Sequence, residues 1–169
     1  MRTKDLKPTI IVDSREHECP LIFTQLPSIM RGLPTGDYTV LGFEDHFCVE
    51  RKTISDLISS ISKDNRARFE RELVRMRGYK FKRLLIIGSR LAIELHEYRS
   101  DMHPNAVLGT LAAYEQRYDL PPEFAETPEQ AALTVERWAV YFVREQVERA
   151  RDVLRAAELA TGKTEGDPA

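Results

Sequence analysis

The residues with most chemical potential lie between 36 and 56, GDYTVLGFEDHFCVERKTISD. Glu50, Arg51 and Lys52 are consecutive, Asp56 follows the lysine by four residues, and Gly36-Asp37 stands ahead, with Asp37 thirteen residues before Glu50. Side chains of a strand alternate between its two faces, so Glu50 and Lys52 are expected on one face and Val49 and Arg51 on the other. Two carboxylates and an ammonium on one face suit a hydrated divalent cation and a phosphodiester. Nucleic-acid hydrolysis is the leading expectation.

Such a cluster needs a hairpin to close it. Gly36-Asp37 opens a predicted strand at 38–41, GFED at 42–45 supplies a turn, and a second strand is predicted at 47–52. Antiparallel partners pair first with last, which brings Asp37 next to Glu50. Thr53 can cap a helix over 54–61 with Asp56 in capping-box position, so Asp56 has two readings, helix cap or active-site acid. Ahead of the hairpin, PTIIVD at 8–13 reads as a buried strand ending in Asp13, followed by a polar segment, DSREHE, that could be a simple turn. A short helix is expected within 20–30, broken by Pro27.

After the hairpin, Phe69, Leu73 and Met76 mark the apolar face of a helix over 65–78, with arginines around much of the rest. KRLLIIG at 82–88 is the clearest buried strand. Helices are predicted at 90–98 and from Pro104 to Tyr118, with His103 at the surface before the second. LPPEFA at 120–125 reads as an edge strand because of its prolines. Thr127, with Gln130 three residues on, can cap a helix from Pro128 to about Ala160. Its apolar stripe includes Val135, Trp138, Phe142, Val143, Val147, Ala150 and Leu154, and the helix itself would be roughly 50 Å long at 1.5 Å per residue, so the distal half is expected to meet a second subunit. The order of elements describes an α/β sandwich with a mixed central sheet. One domain over 1–160 and a disordered polar tail at 161–169 complete the expected organisation.

Composition narrows the function further. The 169 residues are 42% hydrophobic and 31% charged, with a formal net charge of −2, which argues against a protein that coats DNA through bulk positive charge. Charge is nevertheless concentrated locally: residues 63–83 hold nine basic side chains against three acids, beside the carboxylates. There is no apolar run of signal-peptide or membrane-span length, so a cytoplasmic protein without membrane contact is expected. Cys19 and Cys48 are too few for a disulfide framework and lack zinc-site spacing; both are expected to be buried. GxGxxG, GxxxxGK[ST] and HExxH are all missing, which removes the signatures of dinucleotide oxidoreductases, P-loop ATPases and HExxH zinc peptidases.

VDSRE at 12–16, GDY at 36–38 and VERKTISDL at 49–57 closely resemble the nuclease domain of the XPF/Hef structure-specific endonucleases, whose hallmark is GD followed by ERKxxxD. RFERELVRM at 68–76 resembles the segment that follows there, and the similarity spans roughly residues 8–125. The resemblance implies a restriction-endonuclease-like three-layer sandwich and divalent-metal-dependent cleavage of branched or flap DNA in repair or recombination. It places Asp13, Asp37, Glu50, Arg51, Lys52 and Asp56 in or beside the active site. It also implies a homodimer and makes a DNA-binding partner protein an expected associate, because no helix-hairpin-helix signature follows the nuclease motif.

On this basis Asp37 and Glu50 are expected to hold Mg²⁺ or Mn²⁺, with Asp13 as a further candidate ligand. Lys52 would orient the attacking water or help deprotonate it, and stabilise the developing charge. Arg51 and Arg15 would contact phosphate oxygens or lock the carboxylates, with Arg66 and Arg68 as further DNA-binding candidates. Arg51 poses a conflict, because alternation sends it to the opposite face while the family motif includes it. Two other functions remain open: a noncatalytic DNA-binding or scaffold subunit of the same fold, and a restriction or junction-resolving nuclease.

Overall fold

A computed structural model describes residues 6–16 and 20–161. Six strands form one mixed sheet: β1 (Ile10–Asp13), β2 (Ser28–Arg31), β3 (Tyr38–Val40), β4 (Phe47–Thr53), β5 (Phe81–Ile87) and β6 (Pro122–Ala125). Their order across the sheet is β2-β1-β3-β4-β5-β6. β3 runs antiparallel to both neighbours, whereas β1 with β2 and β4 with β5 and β6 are parallel. The helices are α1 (Ile54–Ile61), α2 (Arg66–Met76), α3 (Arg90–Glu94), α4 (Pro104–Tyr118) and α5 (Pro128–Thr161).

The pleat of β4 shows how the layers are assigned. Phe47 and Val49 belong to a core shared with α5, alongside Ile10, Tyr38 and Leu85. Cys48 belongs to the other core, with Leu84 and Ile86 of β5 and the buried faces of α1, α2 and α4. Alternate residues of one strand therefore feed opposite cores, and the sheet is the middle layer of three. On α2 the predicted apolar face is the buried one: Phe69, Leu73 and Met76.

Several boundaries differ from those expected, each for a local reason. No helix forms in the described part of 20–30; instead Ser28–Arg31 is a strand parallel to β1. The preceding backbone bends at 24–26 and is held there from outside, because the N–H groups of Gln25 and Leu26 both donate to Glu136 Oε1 of α5, and Ile10 N–H donates to Pro27 O. α3 stops at Glu94 rather than 98, since His96 adopts a left-handed backbone (φ 58°) that no helix can contain. β6 starts at Pro122 and lies at the sheet edge, where a missing N–H costs nothing. Cys48 is buried as expected; Cys19 and residues 162–169 of the expected tail lie outside the described residues. Among the described residues no helix is long and apolar enough to cross a membrane.

Candidate active site

Gly36 sets the approach of β3 to β4. Its φ is +74°, and a Cβ there would sit 2.5 Å from Cys48 Sγ and 3.1 Å from Val49 O, so glycine alone fits. The next residue uses that proximity. Asp37 N–H donates to Val49 O (2.8 Å), and Asp37 Oδ2 accepts from the backbone N–H of Arg51 (2.7 Å). Asp37 thus replaces a carbonyl in the ladder with a carboxylate and is fixed beside the ERK run.

Glu50 and Lys52 project to the α2 side of β4, two residues apart on one face. Lys52 Nζ donates to Glu50 Oε1 at 2.8 Å, and Glu50 is 7% exposed. Arg51 projects the other way. Its guanidinium donates to Glu16 Oε2 through Nη2 (2.6 Å) and Nε (3.1 Å), and Tyr38 Oη donates to the same oxygen. The strand alternation therefore holds through residue 52, and Arg51 reaches the acid cluster through its backbone rather than its side chain.

A cleft of about 220 Å³ opens over this face, with Asp13, Arg15, Thr35, Gly36, Asp37, Glu50 and Lys52 on the sheet side and Arg68, Glu72 and Arg75 of α2 opposite. A smaller polar cavity of about 190 Å³ shares Lys52, Arg68 and Glu72 with it and adds Ser59, Ser60, Asn65 and Phe69. Asp13 forms part of the wall with both oxygens engaged: Oδ2 accepts from Arg15 Nε (2.6 Å) and Oδ1 from Leu33 N–H (3.1 Å), while Arg15 also donates to Leu33 O (2.9 Å). This network ties the 32–36 loop to the end of β1.

Two candidates sit elsewhere. Asp56 is exposed at the start of α1, where its N–H donates to Thr53 Oγ1 (3.1 Å) and its carboxylate accepts from that hydroxyl (2.7 Å). Those bonds form a helix cap, and Asp56 lines neither cavity. Arg66 donates to Ile61 O (3.1 Å) and to Thr110 Oγ1 (3.4 Å), joining the end of α1 to α4; it too lines neither cavity. Arg68, two residues on, has a side chain 79% exposed and lines both. Glu16, Glu72 and Arg75 enter the site region without having been singled out from sequence. Arg68, Glu72 and Arg75 do share helical spacing i, i+4, i+7, which is a signal that could have found them.

The electrostatics follow from crowding acids in a half-buried place. Burial pushes Asp37 well above the usual carboxylate range and the neighbouring Glu50 charge adds to it, against the Arg51 hydrogen bond. Burial raises Glu50 as well, partly countered by Lys52. For Lys52, burial works against the ammonium, but the Glu50 carboxylate outweighs it and leaves the pKa above its ordinary value. Among the described residues no group of three or more Asp, Glu, His or Cys side chains is arranged as a complete metal cage. Two hard-oxygen carboxylates that repel each other at the base of an open cleft nevertheless fit Mg²⁺ or Mn²⁺, which bind through one or two protein carboxylates and keep several waters.

Comparison with known proteins agrees with this architecture. The model of the ERCC4 domain family matches residues 12–137, a span that ends within α5. Among solved structures, XPF from Aeropyrum pernix is 25% identical with a TM-score of 0.63, covering 78% of this chain and 60% of that one. XPF from Aeropyrum pernix in complex with DNA is 24% identical with a TM-score of 0.65, covering 82% and 66%. The chain thus spans less than two thirds of the length of either solved protein. Comparison with curated proteins gives no match.

Proposed function

Because the chain belongs to the ERCC4 domain family, we propose that it is a divalent-metal-dependent endonuclease hydrolysing phosphodiester bonds of branched or flap DNA in repair or recombination. The observation that carries this reading is the placement of Asp37, Glu50 and Lys52 together on one wall of a cleft whose other wall bears Arg68 and Arg75. Acids alone would repel a DNA backbone. Arginines across the cleft supply the attraction, and the strand between them would lie with a phosphate over the carboxylates.

Asp37 and Glu50 would hold Mg²⁺ or Mn²⁺, which supplies charge neutralisation at the phosphate and acidification of water when bound. Among the described residues Asp37 Oδ1 and Glu50 Oε2 carry no protein hydrogen bond, so each acid has an oxygen to offer. Lys52, kept protonated beside Glu50, serves as a fixed cation that orients a phosphate oxygen or the attacking water and stabilises the charge of the pentavalent transition state. Arg51 acts through its backbone hold on Asp37, and Asp13 with Arg15 fixes the loop that carries Gly36.

The deciding experiment is cleavage of a labelled 3′-flap and a matched linear duplex with Mg²⁺, Mn²⁺ or EDTA, beside the Lys52→Ala variant. Metal-dependent cutting of the flap that the variant loses supports the proposal. Equal cutting of both DNAs points to a restriction-type enzyme, and silence on both with retained DNA binding points to a scaffold subunit.

A further inference from the structure

Lys52 has a second neighbour besides Glu50. Its Nζ stands over the ring of Phe69, 4.8 Å from the centroid, in the polar cavity next to the cleft. We infer that Phe69 positions the Lys52 ammonium for phosphodiester cleavage by seating it on the face of its ring, an inference that rests on the nuclease reading proposed above.

Lysine is a point charge on a flexible four-carbon stem, and an ammonium can satisfy several acceptors in several poses. Glu50 alone cannot hold it during the reaction, because Glu50 is asked to serve two partners, Lys52 and a cation. The ring answers both needs. An aromatic face attracts an ammonium without accepting its charge as a carboxylate would, so the lysine stays fully cationic towards a phosphate. Nor can the ring drift: Phe69 is 3% exposed, packs edge-on against Tyr114 (centroids 6.0 Å apart, 71° between planes), and sits on the same buried face of α2 as Leu73 and Met76. Since α2 also carries Arg68, Glu72 and Arg75 into the cleft, one helix would set the lysine and the opposing wall in a common frame.

The test combines a spectroscopic and a kinetic readout on the full chain. Of the seven lysines, labelled with ¹³C, Lys52 is assigned by its loss in Lys52→Ala. Its ε-methylene protons should be displaced upfield by the ring, remain so in Phe69→Tyr and return to the position of solvated lysines in Phe69→Met. On flap DNA, Phe69→Met should lower kcat about tenfold with KM changed less than about twofold, while Phe69→Tyr keeps both. An undisplaced Lys52 signal in the unaltered protein overturns the inference even if Phe69→Met does not fold. So does a folded Phe69→Met variant with unaltered kcat. A displaced signal in a protein inert towards every DNA offered overturns the nuclease reading instead.

Discussion

Asp37 Oδ2 accepts a hydrogen bond from the backbone N–H of Arg51, the residue between Glu50 and Lys52. One carboxylate of the cleft is thereby tied to the main chain that carries Glu50 and Lys52, through its side chain as well as through its backbone bond to Val49 O. Asp37→Asn keeps an oxygen acceptor for that N–H and removes the charge that repels Glu50. Cleavage should fall by about a hundredfold or more, while the melting temperature stays unchanged or rises. Asp37→Ala should abolish cleavage too, but it leaves the Arg51 N–H without its partner at a cost of about 1–3 kcal/mol. Parallel activity assays and thermal melts check this; an active Asp37→Asn enzyme would remove Asp37 from the chemistry.

The raised pKa values of Asp37 and Glu50 make stability depend on pH in a definite direction. In the folded chain these groups hold their protons more tightly than in the unfolded one, so their contribution is present below the ordinary carboxylate pKa and is lost as pH rises through the folded values. Carboxylates with lowered pKa, such as Glu44 and Asp119, act in the opposite sense but below the ordinary range, and both are solvent-facing in charge terms, so they contribute little. A cation bound between Asp37 and Glu50 favours their charged forms. The melting-temperature increase produced by Mg²⁺ should therefore be larger at pH 8 than at pH 5, as read by differential scanning fluorimetry. An increase independent of pH would place the cation elsewhere.

Arg66 and Arg68 are nearly identical in sequence context and opposite in placement. Arg68→Ala should weaken DNA binding and reduce the slope of log affinity against log salt by about 1, with the melting temperature retained. Arg66→Ala should leave that slope alone and cost about 1 kcal/mol of stability, a few degrees in a chain of this size, because its bonds go to Ile61 O and Thr110 Oγ1. Salt titrations of both variants separate the two roles. The reverse pattern would show that α2 presents a different face to DNA.

What was legible in the sequence was whatever local periodicity and capping chemistry control. The hairpin, the alternation of Glu50 and Arg51, the Thr53 cap and the start of α5 at Pro128 follow from neighbours within a few residues. β2 was not legible: all four of its residues are exposed, its two apolar side chains, Ile29 and Met30, are adjacent rather than alternating, and the segment that leads into it is held by Glu136, more than a hundred residues away. The ion pair of Arg51 with Glu16 is a contact of the same kind, between residues 35 apart. For α2, the polar face of Arg68, Glu72 and Arg75 could be drawn from spacing, but only the packing of β4 against that helix shows that it faces Lys52 rather than open water. Asp56 illustrates the converse, a motif acid whose local capping reading describes its bonds in full.

The distal half of α5 carries the last prediction. Up to Phe142 its apolar side is packed on the sheet, yet Val153 and Leu154 are 68% and 62% exposed, and the ERCC4 match ends at 137. Beyond the part packed on the core, Val147, Ala150, Leu154 and Ala157 recur at spacings of three, four and three, the seam of a helix that packs lengthwise against another. Burying such a stripe against a second copy would remove the exposed Leu154 from water at about 25 cal/mol for each Å² covered. Removing residues 145–169 should therefore halve the mass seen by sedimentation equilibrium and leave the melting profile of the remaining domain in place, since among the described residues none of the truncated side chains belongs to either core cluster. An unchanged mass would show that any pairing of copies uses another surface, and would leave the distal helix free for a different partner.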